Sequence, residues 1–199
     1  EGYSALLQDS DNLDENQRQY VEKILFNTQR LSSLIGSILL LSKLEGQEIP
    51  TKQTAYRLDE QIRQSIVVLE PAWAKKEIEL DVELDRASYV GNEPMMRHVW
   101  DNLISNAVKF TPDGGTIGLS LKTEDGSVVV QVRDTGCGMK PEVGQHIFEK
   151  FYQGDTSHAT QGNGLGLALV KRVVDILSGE IGVQSIYGQG STFTVKFRR

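Results

Sequence analysis

The longest regular pattern in the chain is a heptad repeat of apolar residues between positions 14 and 44. Side chains seven residues apart form two registers, at Ile24, Leu31 and Ile38, and at Tyr20, Asn27, Leu34 and Leu41. The segment contains no proline, so we expect one long helix, capped by Asn12 or Asp14 and ended near Gly46. Its stripe is wider than a two-stranded coil needs, which favours a dimerising helical hairpin over a single long core helix.

Beyond Pro50 the pattern changes to alternating helical and extended segments. Apolar and polar residues alternate strictly at 78–84, which predicts a half-buried strand, and alternating pairs around 125–126 and 187–190 predict two hairpins. Helical periodicity predicts helices over residues 59–76, 94–110 and 166–177, with short strands at 54–58 and 88–90. We therefore predict two parts: a truncated helical hairpin at 1–46 and an α/β sandwich with a mixed sheet at 50–199.

Composition excludes several classes of protein. A net charge of −6 and a pI of about 5.2 show that the chain lacks the excess of basic residues typical of nucleic-acid-binding proteins, so we expect no nucleic-acid partner. One cysteine, Cys137, allows no intramolecular disulfide, and we expect it to be a small buried residue instead of a redox sensor. No apolar run is expected to reach the length of a membrane span. Because the chain starts at Glu1 within an apolar pattern, we expect an upstream part.

A helix ending before Pro112 carries an unusual polar face. Asn102, Asn106 and Lys109 lie at helical spacing, so two amides and one ammonium share a face. Amide oxygens can bind a hard cation such as Mg²⁺, and a lysine binds phosphate as a point charge. The alternative is a solvated helix face with two tolerated asparagines. An adjoining apolar face is predicted from Val99, Leu103, Ala107 and Phe110.

Two further motifs follow this helix. Asp134 ends a predicted strand and is followed by Gly136 and Gly138. Its carboxylate can accept a hydrogen bond from the exocyclic amine of a base, and the glycines leave room for the flat ring against the backbone. The alternative is that Asp134 begins an ordinary turn. Glycines at 162, 164 and 166 open a helix, whose N-terminal N–H groups can bind phosphate. Their spacing matches neither a dinucleotide fingerprint nor a P-loop, and a polar segment before them suits a movable lid.

In this order the motifs resemble those of the sensor histidine kinases, whose catalytic domain has the Bergerat ATP-binding fold of DNA gyrase B, Hsp90 and MutL. Residues 102–110 resemble the N box and residues 134–139 the G1 box of that family. Residues 147–152 resemble its F box, residues 162–166 its G2 box, and residues 190–193 its final glycine–threonine motif. Residues 13–45 look like the second helix of its dimerisation domain. The resemblance covers nearly the whole chain.

The resemblance implies a role for each motif residue in binding ATP and Mg²⁺. Asn106 would ligate Mg²⁺, and Asn102, Lys109 and Lys150 would contact phosphate oxygens as the catalytic set. The expected adenine contacts are Phe110, Asp134, Gly136, Gly138 and Thr192, and Phe148 is expected to contribute to cofactor binding. The expected phosphate cradle is Gly162, Gly164, Leu165 and Gly166. The family's usual arginine after the F box is Gln153 here, which leaves Lys150 as the F-box cation.

The resemblance also separates two activities. ATP-hydrolysing members of the superfamily have a glutamate general base at the position of Asn102, and an amide cannot accept the proton of water. We therefore expect phosphoryl transfer to a histidine of the dimerisation domain, for relay to an aspartate of a response regulator. The alternatives are an ATPase of the gyrase or Hsp90 kind and a non-catalytic dimerisation module with a vestigial site.

The family's acceptor histidine is expected upstream of Glu1. The chain has three histidines, His98, His146 and His158, and none lies on a predicted bundle helix. These 199 residues are therefore expected to bind ATP without phosphorylating themselves. The resemblance further implies a homodimer through the hairpin, a receiver domain as partner, and a cytoplasmic location in a sensor protein that is anchored in the membrane upstream.

Overall fold

The structure of the chain is a computed structural model that describes residues 13–46, 53–154 and 163–198. The chain divides into two compact units, Glu1–Gln47 and Glu48–Arg199. Four sequence features lie outside the described residues: the apolar pattern at the start of the chain, the candidate cap Asn12, the histidine at 158 and the glycine at 162.

The first unit contains the long helix α1, Glu15–Glu45. Asp14 caps it in a reciprocal box, because its carboxylate accepts from the Gln17 N–H at 2.8 Å while the Gln17 side chain accepts from the Asp14 N–H at 2.9 Å. At the other end the N–H of Gly46 donates to the Ser42 carbonyl at 3.1 Å. The predicted helix is confirmed, with Asp14 as its cap.

Much of the apolar stripe on α1 is exposed in the single chain. Ile24, Leu31 and Ile38 of one heptad register are 54%, 58% and 41% exposed. The helix also has the length and composition of a segment that could cross a membrane, because an 18-residue window within it has a mean hydropathy of 1.3. The prediction that no apolar run reaches that length is therefore wrong. Core helices of soluble proteins have a similar length and composition.

The second unit is built on a five-stranded mixed sheet with the order β2-β4-β5-β7-β6. Its strands are β2 Glu79–Leu84, β4 Thr116–Glu124, β5 Ser127–Asp134, β6 Glu180–Ile186 and β7 Gly190–Arg198. β2 pairs parallel to β4, and the other neighbours are antiparallel. A separate two-stranded sheet pairs β1, Thr54–Arg57, with β3, Ser88–Gly91. Both predicted hairpins are present.

The helices of this unit are α2 Leu58–Val68, α3 Glu70–Lys75, α4 Glu93–Phe110, α5 Pro141–Gly144 and α6 Gly166–Ile176. The single helix predicted over residues 59–76 is wrong, because the chain breaks at Leu69 between α2 and α3. Pro71 lies in the first turn of α3 and has no N–H to continue the hydrogen-bond ladder of α2. The other predicted helices agree with the structure to within one residue at each end.

The core lies between the helices and one face of the sheet. On β5 the side chains that point to the helices are Val128, Val130, Val132 and Asp134, all buried. Opposite them on β7 are Ser191, Phe193, Val195 and Phe197, also buried. From α4 the buried face includes Val99, Trp100, Leu103 and Ala107. Phe110 was predicted to belong to this face, but it is 43% exposed, so that part of the prediction is wrong. Asp134 therefore ends a buried row of valines.

Candidate functional site

Helix α4 carries the polar face predicted from the sequence. Its N-terminus is capped by Asn92, whose side chain accepts from the Met95 N–H at 3.1 Å. Asn102, Asn106 and Lys109 are all half-buried along the helix. Because the opposite face is packed against the sheet, these three side chains are held on a rigid element with little freedom to turn.

Asn102 lies directly against the start of α6. A Cβ atom on Gly166 would be only 2.6 Å from Asn102 Oδ1, so this close approach requires glycine. The amide nitrogen of Asn102 donates to the His98 carbonyl at 2.7 Å, and its oxygen therefore faces the first residue of α6. The structure thus brings together the N box and the glycine-led helix, which are about 60 residues apart in sequence.

The F-box segment is joined to the same helix start. The Phe151 N–H donates to the Gly164 carbonyl at 2.8 Å, and a Cβ on Gly164 would lie 2.6 Å from the Phe151 carbonyl carbon. Gly164 has φ +63°, a conformation that costs glycine little. Leu165 is buried and precedes α6, while Phe148 is half-buried and Lys150 is exposed. The predicted phosphate cradle is therefore compact, although Gly162 falls outside the described residues.

Asp134 is a buried acid with polar partners on both sides. It is 7% exposed, its Oδ1 accepts from the Gly136 N–H at 2.9 Å, and Ser191 is its partner across the sheet. Burial raises the pKa of the Asp134 carboxyl, and the backbone N–H groups of Gly136 and Ser191 oppose that rise. A carboxylate held at such a position is suited to accept a hydrogen bond from a ligand donor.

The two glycines after Asp134 are explained by the protein itself. A Cβ on Gly136 would lie 2.6 Å from the Phe110 carbonyl oxygen, and a Cβ on Gly138 would lie 2.0 Å from that of Ile186. These residues therefore let the end of α4 and the end of β6 approach the G1 box. The prediction that the glycines admit a flat base against the backbone remains a prediction, because backbone packing alone requires them.

The register of β7 changes one predicted contact. Asp134 pairs with Ser191, whereas Thr192 pairs with Arg133, and successive residues of a strand point to opposite faces. Ser191 is 8% exposed and lies on the buried face with Asp134. Thr192 points to the other face of the sheet, which contradicts its predicted place in the pocket. Ser191 occupies the position expected for Thr192, and the difference could not be seen without the register.

Lys109 and Phe110 lie together at the end of α4. The Lys109 Nζ is 4.6 Å from the centroid of the exposed Phe110 ring. Through the Phe110 carbonyl, this end of the helix adjoins Gly136. The prediction that Cys137 is buried is wrong, since its side chain is exposed.

Lys76 is a residue of this region that the sequence did not reveal. Its Nζ donates to the carbonyls of Val108, Lys109 and Thr111, each at 2.9 Å. It lies just after α3, far in sequence from the helix end that it contacts. Only the fold brings the two together, so periodicity and motif spacing give no signal for it.

In this α/β sandwich a buried acid lies at one end of α4, half-buried amides lie along the helix, and the glycine that starts α6 lies beside them. Two family models match the chain. The model for histidine kinase-, DNA gyrase B-, and HSP90-like ATPases matches residues 91–199. The model for the His Kinase A (phospho-acceptor) domain matches residues 1–47, which assigns α1 to that domain.

Curated relatives and solved structures agree with these matches. The circadian input-output histidine kinase CikA of Synechococcus elongatus is 38% identical over 92% of this chain and 25% of its own length. The sensor-like histidine kinase SenX3 of Mycobacterium tuberculosis is 33% identical over 96% of this chain and 47% of its own length. The crystal structure of full-length ShkA in complex with AMPPNP has a TM-score of 0.81 and 31% identity, covering 98% of this chain and 41% of that one.

The chain belongs to the sensor histidine kinase family, and its second unit has the α/β sandwich of that family's catalytic domain. It spans between about a quarter and a half of the length of the curated relatives that it matches.

Proposed function

We propose that this chain is the ATP-binding catalytic part of a sensor histidine kinase, acting with Mg²⁺. ATP supplies the phosphoryl group, which passes to a histidine of the dimerisation domain and then to an aspartate of a response regulator. The observation that carries the proposal is the contact of Asn102 with Gly166, which joins the N box to the helix start that would receive the phosphates. The ShkA structure supports it, because ShkA holds an ATP analogue.

The residues near the end of α4 would hold the base. Asp134 would accept from the adenine amino group, with Ser191 beside it in the place first predicted for Thr192. Phe110 offers an exposed ring at the same end. A buried carboxylate fits an amine donor and opposes the 6-carbonyl of guanine, so it would select ATP over GTP.

The residues along α4 and before α6 would hold the phosphates. Gly166 opens an 11-residue helix with no side-chain cap on Leu165, so its first N–H groups are directed at the region in front of it. Lys109 and Lys150 would add positive charge, and Asn106 would place its amide oxygen on Mg²⁺. An amide oxygen is an ordinary ligand for this hard cation, and the donor set therefore fits.

The amide at position 102 favours kinase over ATPase chemistry. With its nitrogen bonded to the His98 carbonyl, Asn102 presents an oxygen that has negligible basicity and cannot deprotonate water. The side chain would position the phosphates while leaving water unactivated, which preserves ATP for transfer. Lys109 would neutralise charge during that transfer.

The exposed stripe of α1 supports the proposed homodimer. Seven large apolar residues of this helix are at least 41% exposed in the single chain: Tyr20, Ile24, Phe26, Leu31, Ile35, Ile38 and Leu39. A second copy would bury them in a helical bundle. We place the unit in the cytoplasm, below a membrane anchor upstream, where it would meet the receiver domain.

Calorimetry with ATP and GTP, with and without Mg²⁺, tests the proposal. We expect ATP to bind more tightly with Mg²⁺ and GTP to bind far more weakly. Failure to bind ATP at millimolar concentration would favour a vestigial site, and steady turnover of ATP would favour an ATPase. After incubation with labelled ATP, we expect no phosphohistidine, which would be stable in base and labile in acid, on these residues. Such a label would contradict the expectation that the acceptor histidine lies elsewhere.

A further inference from the structure

The end of helix α4 is held by a side chain from outside the predicted motifs. The last carbonyls of any helix lack partners within it and carry partial negative charge. Thr111 satisfies one of them in α4, since its N–H and its hydroxyl both bond to the Ala107 carbonyl. Lys76 Nζ donates hydrogen bonds to the carbonyls of Val108, Lys109 and Thr111, so all three of its N–H donors are used.

Backbone hydrogen bonds also connect the segment around Lys76 to the loop that follows α4. The Lys76 carbonyl accepts from the Gly114 N–H at 2.8 Å, and the Glu79 N–H donates to the Gly115 carbonyl at 2.8 Å. Glu77 between them has φ +54°, so the chain turns sharply after Lys76. Two backbone hydrogen bonds therefore join the start of β2 to the loop after α4.

The last turn of α4, which Lys76 binds, contains two residues of the proposed ATP site. Lys109 and Phe110 are the last residues of α4, and Lys76 binds the carbonyl of Lys109 itself. The next carbonyl, of Phe110, packs against Gly136, whose N–H holds Asp134. A displacement of the last turn of α4 would thus move the Lys109 ammonium and disturb the carboxylate together.

We propose that Lys76 is a positioning residue for nucleotide binding: its ammonium fixes the last turn of α4 and thereby sets Lys109 and Phe110 relative to Asp134. The inference rests on the proposed function and adds a residue that contacts neither base nor phosphate. Lys76 acts through the carbonyl groups that it binds, because its ammonium donates all three of its hydrogen bonds to carbonyls at the end of α4.

The test compares Lys76→Met with Lys75→Met. Methionine keeps most of the length and apolar stem of lysine but has no donors, and Lys75 is an exposed neighbour on α3. We expect Lys76→Met to weaken ATP binding by about tenfold in calorimetry, as loss of positioning does, and Lys75→Met to leave it unchanged. Lys76→Arg, which keeps charge and donors, should recover part of the loss.

Amide hydrogen exchange without nucleotide gives a second readout. Lys76→Met should speed exchange at the N–H groups of Gly114 and Gly136, while the central strand β5 keeps its wild-type protection. Unchanged exchange at both positions, or ATP affinity within twofold of wild type, would overturn the role of Lys76. Failure of the wild-type chain to bind ATP would instead overturn the proposed function. If Lys76→Met does not fold, Lys76→Arg and Lys76→Gln supply the same comparison, with Arg expected to bind ATP more tightly than Gln.

Discussion

Replacing Asp134 with Asn tests the base-recognition end of the site without changing its shape. The side chain is 7% exposed, and its Oδ1 accepts from the Gly136 N–H at 2.9 Å. Asn keeps an acceptor for that N–H, but it turns the other oxygen into an NH₂ group. Two donors would then face each other where adenine presents its amino group.

The size of the effect follows from the type of hydrogen bond that is lost. Hydrogen bonds to a charged partner contribute about 1.5–3 kcal/mol, and a buried donor left without an acceptor belongs at the upper end. At about 1.4 kcal/mol per factor of ten, Asp134→Asn should weaken ATP binding by about 10- to 150-fold. The affinity for inosine triphosphate, which carries a 6-carbonyl in place of the amino group, should fall less than that for ATP or should rise. The preference for ATP over inosine triphosphate should therefore shrink or reverse.

The same variant should change the pH dependence of stability. Because burial raises the pKa of Asp134 in the folded state, its contribution to stability is fully present below the ordinary carboxyl pKa of 3.8 and is lost as the pH rises through the raised value. Asn does not titrate. The free energy of unfolding of Asp134→Asn relative to wild type should therefore increase as the pH is raised from about 4 to 7.

Calorimetry with ATP and inosine triphosphate measures the first effect, and urea unfolding across this pH range measures the second. Asp81→Asn is the matched control, because Asp81 is exposed on β2. ATP affinity within about threefold of wild type, in a variant with an intact fold, would refute the assignment of Asp134 to the base. A relative stability that falls with increasing pH would refute the account of its burial.

Three further substitutions test contacts that the structure requires. Gly166→Ala should displace the Asn102 amide and lower ATP affinity in calorimetry, because the added Cβ would lie 2.6 Å from Asn102 Oδ1; unchanged affinity would contradict the contact. Gly138→Ala should destabilise the fold by several kcal/mol in urea unfolding, more than Gly114→Ala, which has a similar φ but open space around its Cβ; equal losses would contradict the packing argument. Asp59 has a pKa lowered to about 2, chiefly by the hydrogen bond that the Arg57 guanidinium donates to its carboxylate, so its contribution to stability should be lost as the pH falls from about 4 to 2. Asp59→Asn should flatten that acid dependence, and an unchanged slope would contradict it.

Local chemistry predicted most of the elements. Pro112 ended α4 at the expected place, and Asp125 and Gly126 both have positive φ, as a tight hairpin between β4 and β5 requires. The long helix was signalled by its heptads and by the Asp14 cap. These features depend on residues near in sequence, so pattern and turn chemistry suffice to predict them.

The parts that sequence reasoning missed depend on contacts between distant segments. Ser191, and not Thr192, faces Asp134 because the register of β5 and β7 sets which residues share a face. Lys76 and the end of α4 are 33 residues apart in sequence and meet only in the folded chain. Cys137 is exposed although Gly136 and Gly138 on either side of it lie against the backbones of Phe110 and Ile186, and spacing along the sequence does not reveal this.

Helix α4 sets the distance between the two ends of the proposed site. Asn102 meets the start of α6, and Phe110 adjoins the G1 box eight residues later, which spans about 12 Å along a helix at 1.5 Å per residue. Adenine and the terminal phosphate are the two ends of one molecule, so a rigid element that carries a contact for each end fixes both at once. The cap at Asn92, the buried face packed on the sheet and the ammonium of Lys76 at the last turn all oppose sliding or fraying of this helix. In the proposed site, base selection and phosphate positioning would therefore be coupled through the stability of α4, and a change that loosens either end should weaken both.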